Sequence, residues 1–353
     1  MKEKIQNKIT QAFEEKIFSA CAVGVVRTNG DRSVVPGGKF TFDADAQAVQ
    51  ENTIFDVASI TKSIPTSSLA LKLIDEGRLR VEDKLINFVP EFHNSDRENV
   101  LIKHLLTQTL DYDFRLSAHK DKTPEEILDV IFTAEFKSRP GTKFFYTNAT
   151  SILLGLVVDR IYKEFLDKLG EKHFFEPLKM ARTSFNPLQK FKKEEIIPTE
   201  VQEWRGGLVQ GEVHDESAHV LRKKMVVGSA GVFSTVPDLL NFLEMLLNNG
   251  SSGGRKYFSP EIMKQIQTNQ LANISQYAGL GWELNQPHYM GKHCSDKTFG
   301  KSDFTGCVCV CDIEREVGFV ILSNYTPPPN RKPDAVLINK FKSDIADIIF
   351  ENL

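Results

Sequence analysis

Residues 55–62 read Phe55-Asp56-Val57-Ala58-Ser59-Ile60-Thr61-Lys62, with a serine and a lysine three positions apart where a helix is expected to begin. Positions i and i+3 share one helical face, so the Lys62 amine can reach the Ser59 hydroxyl and take its proton. Serine alone is a weak nucleophile. A neighbouring base activates it, and the N–H groups at a helix N-terminus favour the negative charge that develops on attack. The mostly apolar run Thr53 to Ala58 leads in, Ile60, Leu69, Leu71, Leu73 and Ile74 follow, and Gly77 supplies the stop. Pro65 removes one hydrogen bond to the Thr61 carbonyl and is expected to bend the axis just past the reactive turn. On these residues alone, Ser59 reads equally well as a capping serine beside a solvated lysine. The pattern occurs a second time as Ser117-Ala118-His119-Lys120, in a charged stretch with no apolar helix behind it, where it reads as coincidence.

The chain has 353 residues, of which 41% are hydrophobic and 26% charged, ample for one large domain or two interleaved ones. A net charge of −3 with no basic stripe or tail offers no footprint for nucleic acid, and no apolar run approaches the length of a membrane span. The expected partner is therefore a small molecule. Met1 to Ile9 alternates charges with apolar residues at helical spacing and lacks the apolar core of a signal peptide, which points to the cytoplasm. Of five cysteines, Cys307, Cys309 and Cys311 alternate with valine on one face of a strand, as buried reduced thiols would. His214, Asp215 and His219 lack the H-E-x-x-H spacing and a third grouped ligand, so neither a metal nor another cofactor is expected.

After a first helix, Ala20 to Arg27 is a small and β-branched run, and Asn29-Gly30 makes a hairpin turn. A second strand should end near Thr41, interrupted by Pro36-Gly37-Gly38. From Arg80 to about Met180 helical patterns dominate, at Leu101 to Leu106, Pro124 to Phe136 and Ala149 to Leu166, and His104 beside Leu105 and Leu106 reads as structural. Within this region Tyr146-Thr147-Asn148 is the chain's only Y-x-N; in an extended loop both side chains would face one side. The other reading is a buried tyrosine followed by a capping asparagine. Leu188 to Gly228 is polar and weakly periodic, as a long surface or site-lining loop would be, and Ser234 to Asp238 then caps an amphipathic helix ending at Gly250. Strands are expected at Ala278 to Leu284, Thr298 to Cys311 and Val317 to Asn324. Pro327-Pro328-Pro329 then leads to a final helix with Val336, Ile338, Phe341, Ile345, Ile348 and Ile349 at helical spacing. Strands at both ends and helices between them describe an α/β (α+β) fold. One sheet region spans 1–58 and 271–353, a mainly helical region spans 59–270, and the site lies between them.

With Ser59, Lys62, Tyr146 and Asn148 in this order, the chain resembles the serine β-lactamase and penicillin-binding-protein superfamily, in particular the class C-like branch with D,D-peptidases and family VIII carboxylesterases. The similarity runs from about Thr53 to Asn324 and includes Leu105-Leu106-Thr107, Gly211 to Asp215, Gly228 to Thr235 and Gly279-Leu280-Gly281-Trp282. The third family motif is lysine or histidine, then threonine or serine, then glycine. Here it reads Lys301-Ser302-Asp303, followed by Phe304-Thr305-Gly306, with aspartate in place of glycine. Gln108 to Asp111 also departs from the His-Thr-Ser-Gly that relatives often carry.

The resemblance implies a β-lactamase-like fold, an antiparallel sheet flanked by helices with a large helical insertion, and acyl transfer on a small-molecule ester, amide or β-lactam. Ser59 would attack the carbonyl and Lys62 accept its proton, while Tyr146 moves protons to the leaving group and from water; either Lys62 or Tyr146 could be the base. Asn148 would hold Lys62 and the substrate, Lys301 and Ser302 would face the substrate tail, and the N–H groups of Ser59 and Phe304 would form the oxyanion hole. A carboxylesterase is the leading expectation, with a D,D-peptidase or β-lactamase and a non-catalytic scaffold as alternatives. Alternation puts Asp303 on the face of Lys301, about 6 to 7 Å along the strand, where its carboxylate would weaken the pull of Lys301 on anionic substrates.

Overall fold

Period-2 alternation organises the computed structural model, which describes residues 1–93, 97–324 and 334–353. In β1 (Ala20–Arg27), Ala20, Ala22 and Val26 enter one core while Cys21, Val23 and Val25 enter another on the opposite face. Its neighbour β2 (Arg32–Gly38) forms one edge of a six-stranded sheet completed by β3 (Glu283–Leu284), β4 (Phe299–Ser302), β5 (Val308–Asp312) and β6 (Val317–Ser323). The order is β2-β1-β6-β5-β4-β3, with antiparallel pairing throughout. The sheet closes by pairing the first strands with the last, Cys21 opposite Ser323 and Arg27 opposite Val317. In β5 the alternation separates Val308 and Val310 from Cys309 and Cys311, with Cys307 just before the strand on the cysteine side; all three cysteines are buried and unbridged.

Helices cover both faces. Ile5, Ile9 and Ala12 of α1 (Lys2–Glu14) recur every three to four residues and pack on the valine side of the sheet. Ile338, Phe341, Ile345 and Ile349 of the C-terminal helix Ala335–Phe350 join them there. Burying each of these isoleucine and phenylalanine side chains contributes about 1.5–3 kcal/mol. The other face receives the helix Val236–Leu247, capped by the Thr235 hydroxyl, which accepts from the Asp238 N–H. Gly24 permits that approach: a Cβ there would stand 2.2 Å from Val236 Cγ1. Beyond this helix lies the helical region, including Pro124–Thr133 and Asn148–Tyr162.

Several expectations need correction. Pro36-Gly37-Gly38 does not interrupt β2 but forms its last residues, because an edge strand tolerates a residue without an N–H. The run Thr298 to Cys311 is two strands, β4 and β5, separated by a tight turn at 303–307, and the strand expected from Ala278 is confined to Glu283–Leu284. The stretch 188–228 is not one loop: it contains a hairpin, Pro198–Gln202 with Gly207–Gln210, and a short helix, Glu216–Leu221. Val201 and Leu208 of that hairpin are exposed, so no buried stripe marks it in the sequence. Val336 is exposed rather than packed. Pro327-Pro328-Pro329 lies outside the described residues. Among those described, no helix is long and apolar enough to cross a membrane.

Candidate active site

The stretch around Ser59 is held more tightly than a plain helix start. Phe55–Asp56 pairs with Phe233–Ser234, and the Asp56 carboxylate accepts from the Ala58 N–H (2.8 Å) and the His214 N–H (2.8 Å). Burial pushes the Asp56 carboxyl above its ordinary value, against the pull of His214 and of these hydrogen bonds. Ala58 adopts φ 40°, a left-handed conformation unusual for a residue with a Cβ, and its cost must be carried by the surrounding contacts. Ser59 and Lys62 then lie on a single 3₁₀ turn, Ala58–Lys62, not on the first turn of a continuous α-helix. Ile64 has extended dihedrals, so the axis is broken rather than bent, and α-helix resumes only at Ser68–Asp75. With about three residues per 3₁₀ turn, positions i and i+3 are eclipsed, which sets Lys62 directly over Ser59. Lys62 Nζ donates to Ser59 Oγ at 2.8 Å and to the Ser229 carbonyl at 3.0 Å.

Side chains fasten this turn to both neighbouring layers. The Thr61 hydroxyl accepts from the Val232 N–H, Thr66 donates to the Gly228 carbonyl, and Ser63 donates to the Gly281 carbonyl. The second serine-lysine pattern has no comparable setting: Ser117 is exposed, and the Lys120 ammonium lies over the Trp204 ring, 5.6 Å from its centroid.

Tyr146 reaches the same place from the loop before the helix Asn148–Tyr162. Two ammonium groups lie close to its ring, Lys62 Nζ 5.0 Å and Lys301 Nζ 4.6 Å from the centroid, and the residue is 43% exposed. Gln108 holds the loop on both sides of Tyr146: its backbone carbonyl accepts from the Phe145 N–H and its side-chain oxygen from the Thr147 N–H. Gln108 has φ 55°, in the left-handed region. Thr147, not Asn148, caps the helix. The Asn148 amide donates to Asp215 (2.8 Å) and Ser217 (3.4 Å), and the contact expected between Asn148 and Lys62 is made instead by the Ser229 carbonyl. Asp215 also accepts from Ser217 and from the Ala218 N–H, so it orders the segment that holds Asn148.

Each residue of Lys301-Ser302-Asp303 is bound by a partner. Lys301 is buried and forms a salt bridge with Glu283 on β3. Burial would pull its amine down, but Glu283 and the Tyr146 phenol outweigh it and the net shift is upward. Ser302 Oγ accepts from Lys342, a buried lysine of the C-terminal helix that also donates to the Asp303 carbonyl (2.9 Å each). Asp303 forms no ion pair with Lys301 and adds only a smaller upward pull on its amine, after Glu283 and Tyr146. Its carboxylate accepts from the Cys307 N–H (2.7 Å) and the Thr305 hydroxyl (2.9 Å), closing the turn in which Gly306 takes φ 95°. That turn is where the chain leaves β4, so strand alternation no longer governs where the side chain goes.

Burial pushes the Asp303 carboxyl up to about 6, against the pull of Lys342 and its own hydrogen bonds. With the folded value above the ordinary 3.8, the native state takes up a proton first, and this group's contribution to stability rises as pH falls from about 6 towards 4. Asp303→Asn should flatten that part of the wild-type curve of Tm against pH; an unaltered difference between the two proteins from pH 4 to 6 would contradict it. Asp303→Gly should cost about 2–4 kcal/mol in urea unfolding, because it strands two buried donors and leaves Lys342 without its carboxylate.

Phe304 is 55% exposed, and its ring stacks on His214 with centroids 5.8 Å apart and planes 6° from parallel. His214 Nε2 lies 3.0 Å from Glu200 on the hairpin Pro198–Gln202/Gly207–Gln210. His214 thus braces the turn after β4 and ties it, through Asp56, to the serine turn. His104 is structural, its Nδ1 accepting from the Leu101 N–H, and burial holds its imidazole down to about 4. Glu283, Lys342 and Ser229 are the site neighbours that sequence reasoning passed over, while Gln108 was marked there only as a departure from the family pattern. Only Glu283 and Ser229 carried a signal, since each lies in or beside a stretch that entered the resemblance.

A family model described as Beta-lactamase matches residues 9–341. A protein of Escherichia coli (strain K12), provisionally named D-alanyl-D-alanine carboxypeptidase, is 29% identical over 311 residues, covering 80% of this chain and 71% of its own. Among solved structures, EstCE1, described as a hydrolase with promiscuous acyltransferase activity, superposes with a TM-score of 0.74 at 18% identity, over 97% of this chain and 98% of its own. The octameric penicillin-binding protein homologue from Pyrococcus abyssi superposes with a TM-score of 0.72 at 21% identity, over 99% of this chain and 77% of its own. At these identities the structural likenesses speak for the fold.

Proposed function

The chain belongs to the beta-lactamase family, and from that premise we propose that it is a serine hydrolase that works through an acyl-enzyme, with uncharged carboxylic esters as its substrates. The observation that carries this reading is the 2.8 Å hydrogen bond between Lys62 Nζ and Ser59 Oγ on one 3₁₀ turn, with the Tyr146 ring close to Lys62 and Lys301. A nucleophile within reach of a base, itself oriented by a third group, is the arrangement covalent acyl transfer needs. In the reacting form the Lys62 amine takes the hydroxyl proton as Ser59 Oγ bonds to the carbonyl carbon. The N–H groups of Ser59 and Phe304 would hold the oxyanion. Collapse breaks the bond to the alcohol oxygen, which leaves with the proton by way of Lys62 or Tyr146. Water then attacks the acyl carbon, gives its proton to the same pair, and releases the acid while Ser59 regains its hydrogen.

The name of the bacterial relative favours a second reading, a D,D-peptidase or β-lactamase. The ion pair of Lys301 with Glu283 argues for the esterase, because the terminal carboxylate of such a peptide would meet a lysine already neutralised. A fluorophosphonate probe and a fluorescent penicillin, applied side by side with the label then located, test the two. Label on Ser59 from the phosphonate with none from penicillin is expected. Efficient penicillin labelling of Ser59 would favour the second reading, and phosphonate label elsewhere would overturn both.

A further inference from the structure

Glu283 carries an inference about the charge of the substrate. Two lysines lie close to the Tyr146 ring, and they are not equivalent. Lys62 is engaged by Ser59 and the Ser229 carbonyl, and Lys342 by Ser302 and the Asp303 carbonyl, which among the described residues beside the Tyr146 ring leaves Lys301 as the cation that a charged group of a substrate would meet. Lys301 is already paired with one oxygen of Glu283. The other oxygen accepts from the Tyr289 hydroxyl at 2.8 Å, and Tyr289 is fully buried. A carboxylate fixed at both ends does not swing aside as a surface glutamate does. Glu283 and Lys301 also line, with Lys62, Gln108 and Trp282, a cavity of about 20 Å³ beside the serine turn, room for about one water, so the pair borders the site with its charges balanced. A substrate carboxylate directed at Lys301 would have to displace the resident carboxylate of Glu283 or sit beside it, whereas a neutral group meets neither cost.

We propose that Glu283 is a specificity-determining residue which, by neutralising Lys301, selects uncharged esters over esters bearing a carboxylate close to the reacting carbonyl. The inference rests on the serine-hydrolase reading and assigns its charge preference to one side chain. In Asp303, where strand alternation had pointed, the carboxylate is committed to the turn.

The test compares wild type with Glu283→Gln, which keeps an acceptor for Tyr289 and removes only the charge. Two substrates of equal length serve, p-nitrophenyl pentanoate and mono-p-nitrophenyl glutarate, which differ in a terminal methyl against a terminal carboxylate. The ratio of kcat/KM for the anionic to the neutral ester should rise on the order of tenfold in the variant, and because Lys301 is buried most of that gain should persist in high salt. A ratio that stays at the wild-type value, or a parallel loss on both esters, would overturn the proposal, the latter by making Glu283 a support for Lys301 alone. Should the variant not fold, wild type still decides: 3-carboxyphenylboronic acid is expected to inhibit no better than phenylboronic acid, and much tighter inhibition by the carboxylate compound counts against the inference. If neither ester turns over and the fluorophosphonate leaves Ser59 unlabelled, the serine-hydrolase reading fails and takes this one with it. If Ser59 is labelled and the ratio is unmoved, only the role of Glu283 falls.

Discussion

Ser59→Ala should abolish ester hydrolysis, lowering kcat for short p-nitrophenyl esters by a factor on the order of 10⁶. The size of the effect follows from the geometry. Lys62 Nζ is 2.8 Å from Ser59 Oγ, and the other serine with a lysine three residues on, Ser117, is exposed while its lysine lies over Trp204. Alanine removes one oxygen from a turn whose backbone is held by Asp56, Thr61 and Ser63, so the unfolding midpoint should barely move. Activity retained by Ser59→Ala, or an acyl group found on Ser117 by mass spectrometry, would refute the assignment.

The next largest effect is expected from the proton-transfer groups. Lys62→Met should lower kcat by about 10²–10⁴, the range a positioned general base supplies, with much less change in KM. Methionine has nearly the length of lysine and suits a buried site, so circular dichroism should report a folded protein. Tyr146→Phe separates the roles of the two groups, because it keeps the ring close to the Lys62 and Lys301 ammonium groups and deletes only the hydroxyl. A comparable loss would make Tyr146 part of the proton path. Normal turnover by Tyr146→Phe would reduce it to a platform for the two lysines and leave the base to Lys62.

These outcomes bear on how the site is built. The serine turn, the Tyr146 loop and β4 are separate segments, yet the groups they carry are restrained by neighbours that have no place in the proposed chemistry: Ser229 for Lys62, Gln108 for the Tyr146 loop, Glu283 for Lys301 and Lys342 for Ser302. Such supports hold reacting groups within the narrow tolerance that acyl transfer demands. They also explain how the chain accommodates two departures from the family pattern. Gln108 secures the tyrosine loop by its own hydrogen bonds, and Asp303 uses its carboxylate to close the turn that leads to Phe304.

What the sequence by itself determined was set by short-range periodicity. The small and β-branched run Ala20 to Arg27 and the stretch from Val317 assigned strands, the alternation of Cys307, Cys309 and Cys311 with valine assigned one face of another, and apolar residues at helical spacing in Met1 to Ile9 assigned a helix. The three-residue separation of Ser59 and Lys62 announced a possible nucleophile and base, because a helical turn brings i and i+3 together whatever the rest of the chain does. Only the tertiary structure decided the partners. Glu283 meets Lys301 because β3 lies beside β4, and Lys342 reaches Ser302 from a helix forty residues further along the chain. The direction of Asp303 was likewise decided by packing: at the end of β4 the chain turns, and two buried donors at Thr305 and Cys307 claim the carboxylate. Local periodicity fixes which face a residue presents, but the charges and hydrogen-bond donors that meet it come from segments distant in sequence. Burial makes an unmet partner costly enough that those long-range pairings, rather than the local pattern, determine where each polar side chain points.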